Sequence, residues 1–147
     1  MATYRWKRPE SVLVVVASQA GEVLLLERCA PRGFWQSVTG SLDWGEPAAA
    51  AASRELREET GVCMQPEDCG ETHRFPIVQP WRARYAPEAT HNVEHVFRLI
   101  LPRRIEIRLN PSEHVAACWL PRAVAARRVG SWSNREAILR WVPDVGA

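Results

Sequence analysis

Residues 40–62 read GSLDWGEPAAAAASRELREETGV, and no other stretch narrows the fold as much. Pro47 suits the first position of a helix, Ala48–Ala52 has the highest helix propensity, and Gly61 is placed for a left-handed cap. The run therefore predicts a helix over Pro47–Thr60, fed by a glycine-containing loop, Gly40–Gly45, that leaves an extended segment, Trp35–Thr39. On that helix Glu55, Glu58 and Glu59 are spaced i, i+3 and i+4, which at about 100° per residue confines them to roughly 100° of arc. Like charges so placed cost roughly 0.2–0.5 kcal/mol per pair. Two arrangements relieve them: cationic neighbours or a divalent metal. Arg54 and Arg57 supply the first, giving an exposed salt-bridged face. The second gains from context, because Ala49, Ala52 and Leu56 form an opposite stripe that lets the helix lie on a sheet. The loop then brings a free backbone carbonyl and Glu46 close to the acids. Hard oxygen donors of this kind suit Mg²⁺ or Mn²⁺, and with no thiolate or imidazole among them zinc is disfavoured.

The rest of the chain alternates in period and shows no internal repeat. Ser11–Ser18 (SVLVVVAS) is an apolar β-branched run, Gln19–Gly21 a turn, and Val23–Arg28 the return strand of a hairpin. Pro31-Arg32-Gly33 breaks the chain. Strand-like segments follow the helix at Glu71–Ile77, Trp81–Tyr85, Val93–Leu101, Ile105–Leu109 and Val115–Leu120. Pro121–Arg128 predicts a short helix, and Ser133 with Glu136 is a capping signature for a last helix through Trp141. The expectation is a mixed α/β sandwich forming one domain over residues 1–147.

Charge and composition restrict function further. Lys plus Arg is 19 against 17 for Asp plus Glu, a formal +2, which argues against a nucleic-acid binder dependent on a strong basic field. Apolar runs are too short to span a bilayer. MATYRWKRPE carries charge with no following signal-type apolar region, so a soluble, cytoplasmic domain with no membrane partner is expected. Cys29, Cys63, Cys69 and Cys118 form no metal knuckle and read as reduced thiols.

The spacing within residues 40–62 resembles the Nudix box: glycine, five residues, glutamate, seven residues, then Arg-Glu-aliphatic-x-Glu-Glu-x-Gly-aliphatic. Here it is Gly40, Glu46, Arg54, Glu55, Leu56, Glu58, Glu59, Gly61 and Val62, with no departure. The resemblance implies a Nudix α/β/α sandwich with a mixed central sheet. It also implies Mg²⁺-dependent hydrolysis of a nucleoside-diphosphate-linked substrate, with Mn²⁺ able to substitute. Glu55, Glu58 and Glu59 would bind metal, assisted by the Gly40 carbonyl, while Glu46 pairs with Arg54 and braces the loop–helix turn. Glu113, from the Pro-Ser-Glu-His loop, would complete the metal site or act as general base, so that Glu58, Glu59 and Glu113 are the catalytic candidates.

Outside the box, Lys7-Arg8-Pro9, FWQSVTGS (34–41), RYAP (84–87), SEH (112–114) and SWSNR (131–135) resemble a branch of the family that serves folate synthesis. The implied reaction removes pyrophosphate from dihydroneopterin triphosphate to leave the monophosphate. Lys7, Arg8, Arg28, Arg84 and Arg135 are candidate phosphate ligands, Lys7 and Arg28 foremost, with Trp35 or Trp132 a candidate stacking surface, and Gln36, Asn92 or Asn134 candidate readers of the ring edge. The substrate-binding set is thus Lys7, Arg28, Trp35, Arg84 and Asn134. His91, Glu94 and His95 form a second cluster, but their spacing in a strand does not put both histidines on one ligand face neatly. A housecleaning (d)NTP or oxidised-nucleotide pyrophosphatase would use the same metal site. A non-catalytic nucleotide-binding module would be expected to have lost box carboxylates. The expected partner is a small-molecule triphosphate, and the chain is compatible with a monomer or a homodimer.

Overall fold

A computed structural model describes residues 6–145, so the first five residues of the N-terminal segment lie outside it. The architecture follows from one strand. β1 (Glu10–Ser18) is buried along nearly its whole length, as a β-branched run must be when both faces of its sheet are covered. It pairs in parallel with β6 (His91–Leu101), in register from Glu10↔Val93 to Ser18↔Leu101. Its other side is shared. Near its C-terminal end Ala17 pairs with Val23 of β2 (Glu22–Arg28), while Ser11–Val14 pair antiparallel with β4 (Val38–Ser41). β2 carries the two-residue β3 (Trp35–Gln36) and β7 (His114–Pro121), and β6 carries the edge strand β5 (Glu67–Pro76). The result is a seven-stranded mixed sheet.

Alternation along these strands divides the core in two. Val12, Val14, Val16, Leu24, Leu26 and Phe97 face α1 (Ala48–Thr60) through Ala51, Ala52 and Leu56. Leu13, Val15, Ala17, Leu25 and Val96 face α2 (Arg122–Arg128) and α3 (Trp132–Trp141) through Ala125, Ala126, Ala137 and Ile138. The chain is an α/β/α sandwich, as the sequence predicts.

Several boundaries differ from expectation. α1 begins at Ala48, with Pro47 as the extended N-cap residue, and ends at Gly61, whose φ of 79° is the left-handed cap. Ala49 is exposed, and the packed stripe is Ala51, Ala52 and Leu56. Trp81–Tyr85 forms a 3₁₀ turn at Arg82–Arg84 in place of a strand, and Ile105–Leu109 pairs with no strand. The α3 cap is Ser131, whose hydroxyl accepts from the Asn134 N–H at 3.2 Å. Ser133 sits inside the first turn, fully buried, because the helix is anchored to the sheet at that point.

Candidate active site

α1 does not hold its carboxylates away from the sheet. Glu55 and Glu59 lie on the packed side, 8% and 1% exposed, and only Glu58 is on the surface. The reason is local. At the end of α1 the neighbouring sheet element is the short β4, and Gly40 there has no side chain to fill the space. A Cβ on Gly40 would overlap the Glu55 carboxylate, so glycine is what admits an acid at this depth. Glu55 and Glu59 share a hydrogen bond, and burial followed by this mutual contact pushes the Glu59 carboxyl well above the ordinary range. The nearby charge of Glu113 pushes it the same way. Burial likewise raises Glu55, opposed by Glu59 and Arg54.

Arg54 organises the other side. Its guanidinium donates to both Glu46 oxygens at 2.9 and 2.8 Å, to Glu55 at 2.8 Å, to Glu58 at 3.3 Å and to the Ser41 carbonyl at 3.1 Å. One fork therefore ties the loop strand β4 to three acids of the box, a geometry an ammonium cannot reproduce. Glu46 also accepts from the Asp43 N–H at 2.9 Å, closing the loop that precedes the helix.

Divalent metal ions suit this donor set. Glu59 Oε1 is buried with no hydrogen-bond partner among the described residues, and Glu59 is crowded by the acids Glu55 and Glu113, while Arg54 compensates Glu55 alone of the buried pair. As the side chains stand, no three acidic, histidine or cysteine groups among the described residues converge closely enough to hold an ion. Arg54 still draws Glu55 and Glu58 to itself.

A cavity of about 570 Å³ opens over these acids, bounded by Lys7, Arg28, Gly40, Glu55, Arg84 and Glu113. Glu113 is carried there by a turn in which Asn110 Oδ1 accepts from Ser112, and its own carbonyl accepts from the Cys29 N–H at 2.9 Å. Burial, reinforced by Arg84 and Arg28, depresses the Lys7 ammonium. Among the described residues none of these three cations makes a salt bridge, although the Glu55 and Glu113 charges act on Lys7 in the opposite sense, and a polyanion would relieve their crowding. The cavity runs on into a second of about 480 Å³, sharing Lys7, Arg28, Gly40 and Trp81. Its walls are Phe34, Phe75, Trp81, Tyr85 and Trp132, and Asn92, Glu94, Ser133 and Asn134 also line it. Phe34 and Trp81 meet edge to face, with centroids 5.7 Å apart.

Not every expected residue arrives here. Trp35 is absent from both cavities: it packs with the α2–α3 core beneath Arg128, whose guanidinium carbon is 5.7 Å from the ring. β3 pairing fixes this, since Trp35 lies opposite Glu27 and its neighbour Gln36, opposite Leu26, takes the other face. Asn134 does line the ring cavity, yet it also ties α3 to the link between β3 and β4 by accepting from the Ser37 N–H and donating to the Ser37 hydroxyl, both at 2.9 Å. His91 and His95 turn away from the cavity. His95 bonds Glu10 at 2.6 Å and His91 bonds Thr90 at 2.9 Å. Trp81, which like Trp35 and Trp132 sits beside polar or basic residues and so reads from sequence as a possible stacking surface, does line the compartment, whereas Phe34, Phe75 and Tyr85 escape sequence reasoning as wall residues. The signal that could have found Phe75 and Tyr85 is their place at the edge of and within the Pro-rich segment 76–87; Phe34 gives no such signal. His114, next to Glu113, is buried beside Glu59 and Gln36, and desolvation with the Arg28 charge lowers it to about 4.

With this geometry in view, comparison with known proteins decides the family. The NUDIX domain model matches residues 7–142. The chain is a Nudix hydrolase. Divalent metal ions are the general cofactor of that family, in keeping with the acids of α1. A dihydroneopterin triphosphate diphosphatase of Escherichia coli K12 is 44% identical over 143 residues, covering 93% of this chain and 94% of the relative. One of the same description from Haemophilus influenzae is 35% identical over 144 residues, covering 94% and 90%. The solved structure of the E. coli dihydroneopterin triphosphate pyrophosphohydrolase superposes with a TM-score of 0.88 at 43% identity, over 95% of this chain and 98% of that one. Among the described residues, no helix of this Nudix hydrolase is long and apolar enough to cross a membrane.

Proposed function

We propose that this Nudix hydrolase converts dihydroneopterin triphosphate to dihydroneopterin monophosphate and pyrophosphate, using Mg²⁺. The observation that carries the substrate is a likeness to diphosphatases of that substrate running nearly end to end, in sequence and in structure. The cavity supports it: an aromatic-walled compartment sized for a flat heterocycle opens into a cationic mouth beside an acidic helix.

Each part of the chain then has a task. Lys7, Arg28 and Arg84 receive the triphosphate, and the aromatic walls hold the ring so that the scissile anhydride lies beside α1. Glu55, Glu58 and Glu59, with the Gly40 carbonyl and Glu113, would hold Mg²⁺. When bound, that ion neutralises the polyphosphate and lowers the cost of charge on the leaving group. Glu113 lies at the mouth and is the base that takes the proton of the attacking water. Water oxygen adds to one phosphorus of the scissile anhydride and the bridging P–O bond breaks, its electron pair staying on the departing phosphate oxygen; the products are the monophosphate and pyrophosphate whether the α- or the β-phosphorus is attacked. Glu46 and Arg54 touch none of the reacting atoms and act by fixing the loop and Glu55.

The test is pyrophosphate release with Mg²⁺, comparing kcat/KM for dihydroneopterin triphosphate with dATP, dGTP and 8-oxo-dGTP. A pterin preference of about tenfold or more, equivalent to roughly 1.4 kcal/mol of transition-state discrimination, is expected. Equal or better turnover of the deoxynucleotides would leave the Nudix chemistry and remove the pterin assignment.

A further inference from the structure

The ring compartment contains two acceptor oxygens that the fold leaves unused. Asn92 and Glu94 are alternate residues of β6, each 5% exposed, and both line the compartment. Asn92 Nδ2 donates to Ser11 Oγ at 2.8 Å, which orients the amide and leaves Oδ1 buried without a partner. Glu94 takes a hydrogen bond from Ser133. Its Oε1 is also without a hydrogen-bond partner, with the His73 Nδ1 3.6 Å away. His73 is itself held from behind, its Nε2 2.9 Å from Glu71 Oε2. The carboxylate is therefore oriented by α3 through Ser133, and its Oε1 faces β5 at His73 beyond hydrogen-bond distance. A polar group buried in that state is costly unless a ligand completes it.

The compartment also has a polarity. Lys7 and Arg28 line it where it meets the mouth, which Arg84 also bounds, and the buried Glu94 lines the compartment and not the mouth, so a substrate binds with its anion toward the mouth and its hydrogen-bond donors toward Glu94. A carboxylate matches two adjacent N–H donors. The 2-amino-4-oxo edge shared by pterins and guanine offers such a pair, the ring N–H and the exocyclic amine. Adenine offers one amine beside a ring-nitrogen lone pair, which the carboxylate repels. We propose that Glu94, assisted by Asn92, reads the 2-amino-4-oxo edge of the heterocycle and is the residue pair that selects the substrate's base. The proposal rests on the function given above for the pterin itself, and the recognised edge is wider than that one compound.

The experiment uses the full chain with Mg²⁺ and measures kcat/KM for dihydroneopterin triphosphate, dGTP and dATP in wild type, Glu94→Gln and Asn92→Ser. An amide at position 94 turns an N–H₂ toward the donors. In Glu94→Gln the pterin-to-dATP and dGTP-to-dATP ratios fall at least tenfold, and in Asn92→Ser they fall several-fold, each variant retaining a cooperative melt. Because the two substitutions are independent, one that fails to fold leaves the other to decide. Unchanged ratios in a folded variant overturn the proposal while a wild-type pterin preference keeps the proposed function. A wild type that prefers dGTP to the pterin, with the dGTP-to-dATP ratio still lost in Glu94→Gln, supports the edge reading and removes the pterin.

Discussion

Gly40→Ala tests how closely strand and helix must approach for the site to exist. The backbone of Gly40 is not in the left-handed region, so alanine brings no conformational strain there, and any effect comes from the new methyl group. That methyl would occupy the space of the Glu55 carboxylate. The carboxylate must retreat by about 1 Å to regain ordinary contact distance. Retreat breaks its 2.8 Å bond to Arg54, since Arg54 is pinned to Glu46 on its other side. Overpacking of this kind costs about 1–3 kcal/mol. With an unfolding entropy of about 2.1 cal/mol/K per residue the whole chain gives about 0.3 kcal/mol/K, so Tm falls by about 3–10 °C. A displacement of about 1 Å at a reacting centre costs about 100-fold in rate. The assay pairs a thermal melt with pyrophosphate release, using Gly45→Ala as the comparison. Gly45 has φ of 85° and open space within 4 Å of where a methyl would stand, so its alanine variant loses about 1–2 kcal/mol to backbone strain while the acids stay in place. Gly40→Ala with wild-type turnover and Tm would refute the packing argument outright.

Three further outcomes follow from the same contacts. Arg54→Lys keeps the charge but loses the fork, and is expected to lower Tm by several degrees and turnover by more than tenfold; wild-type values for both would show that the fork is unnecessary. Glu59→Gln is nearly isosteric and removes a buried acid that Glu55 and Glu113 repel, so in EDTA its Tm should equal or exceed wild type while kcat falls by about a thousandfold or more; a large loss of metal-free stability would contradict this reading. His114 is neutral in the fold at pH values where an unfolded chain begins to protonate it. Its stabilising effect is therefore complete above about pH 6.5 and is lost as pH falls toward about 4. His114→Gln should flatten urea-derived stability across that window relative to wild type, and parallel curves would reject the assignment.

The sequence carried the local rules well and the approach of one element to another poorly. Pro47 and Gly61 bracket α1 because helix termination is a property of a few adjacent residues. Spacing also put Glu55, Glu58 and Glu59 on one stripe, but which way that stripe faces depends on Gly40, distant in sequence and informative only through what it leaves out. Trp81 and Tyr85 read as strand because aromatic residues favour sheets; the half-buried Trp81 and buried Tyr85 line the ring compartment from the Pro-rich turn, in irregular structure. Trp35 shows the parity problem of a short strand: one residue of register decides which face it takes, and a two-residue strand carries no alternation to reveal it. Glu94 and its hydrogen-bonded surroundings come from β5, β6 and α3, whose meeting is a matter of topology.

Arg54 gives the box an internal counterion. Its ties to Glu46, Glu55 and Glu58 are complete within the polypeptide, so loop, strand and helix are assembled before any ion is present. If Glu55 and Glu58 hold the ion as proposed, its binding would exchange one cation for another there, while the tie to Glu46 keeps the scaffold in place. On that reading, withdrawing the ion would cost activity while leaving the tie between loop, strand and helix intact.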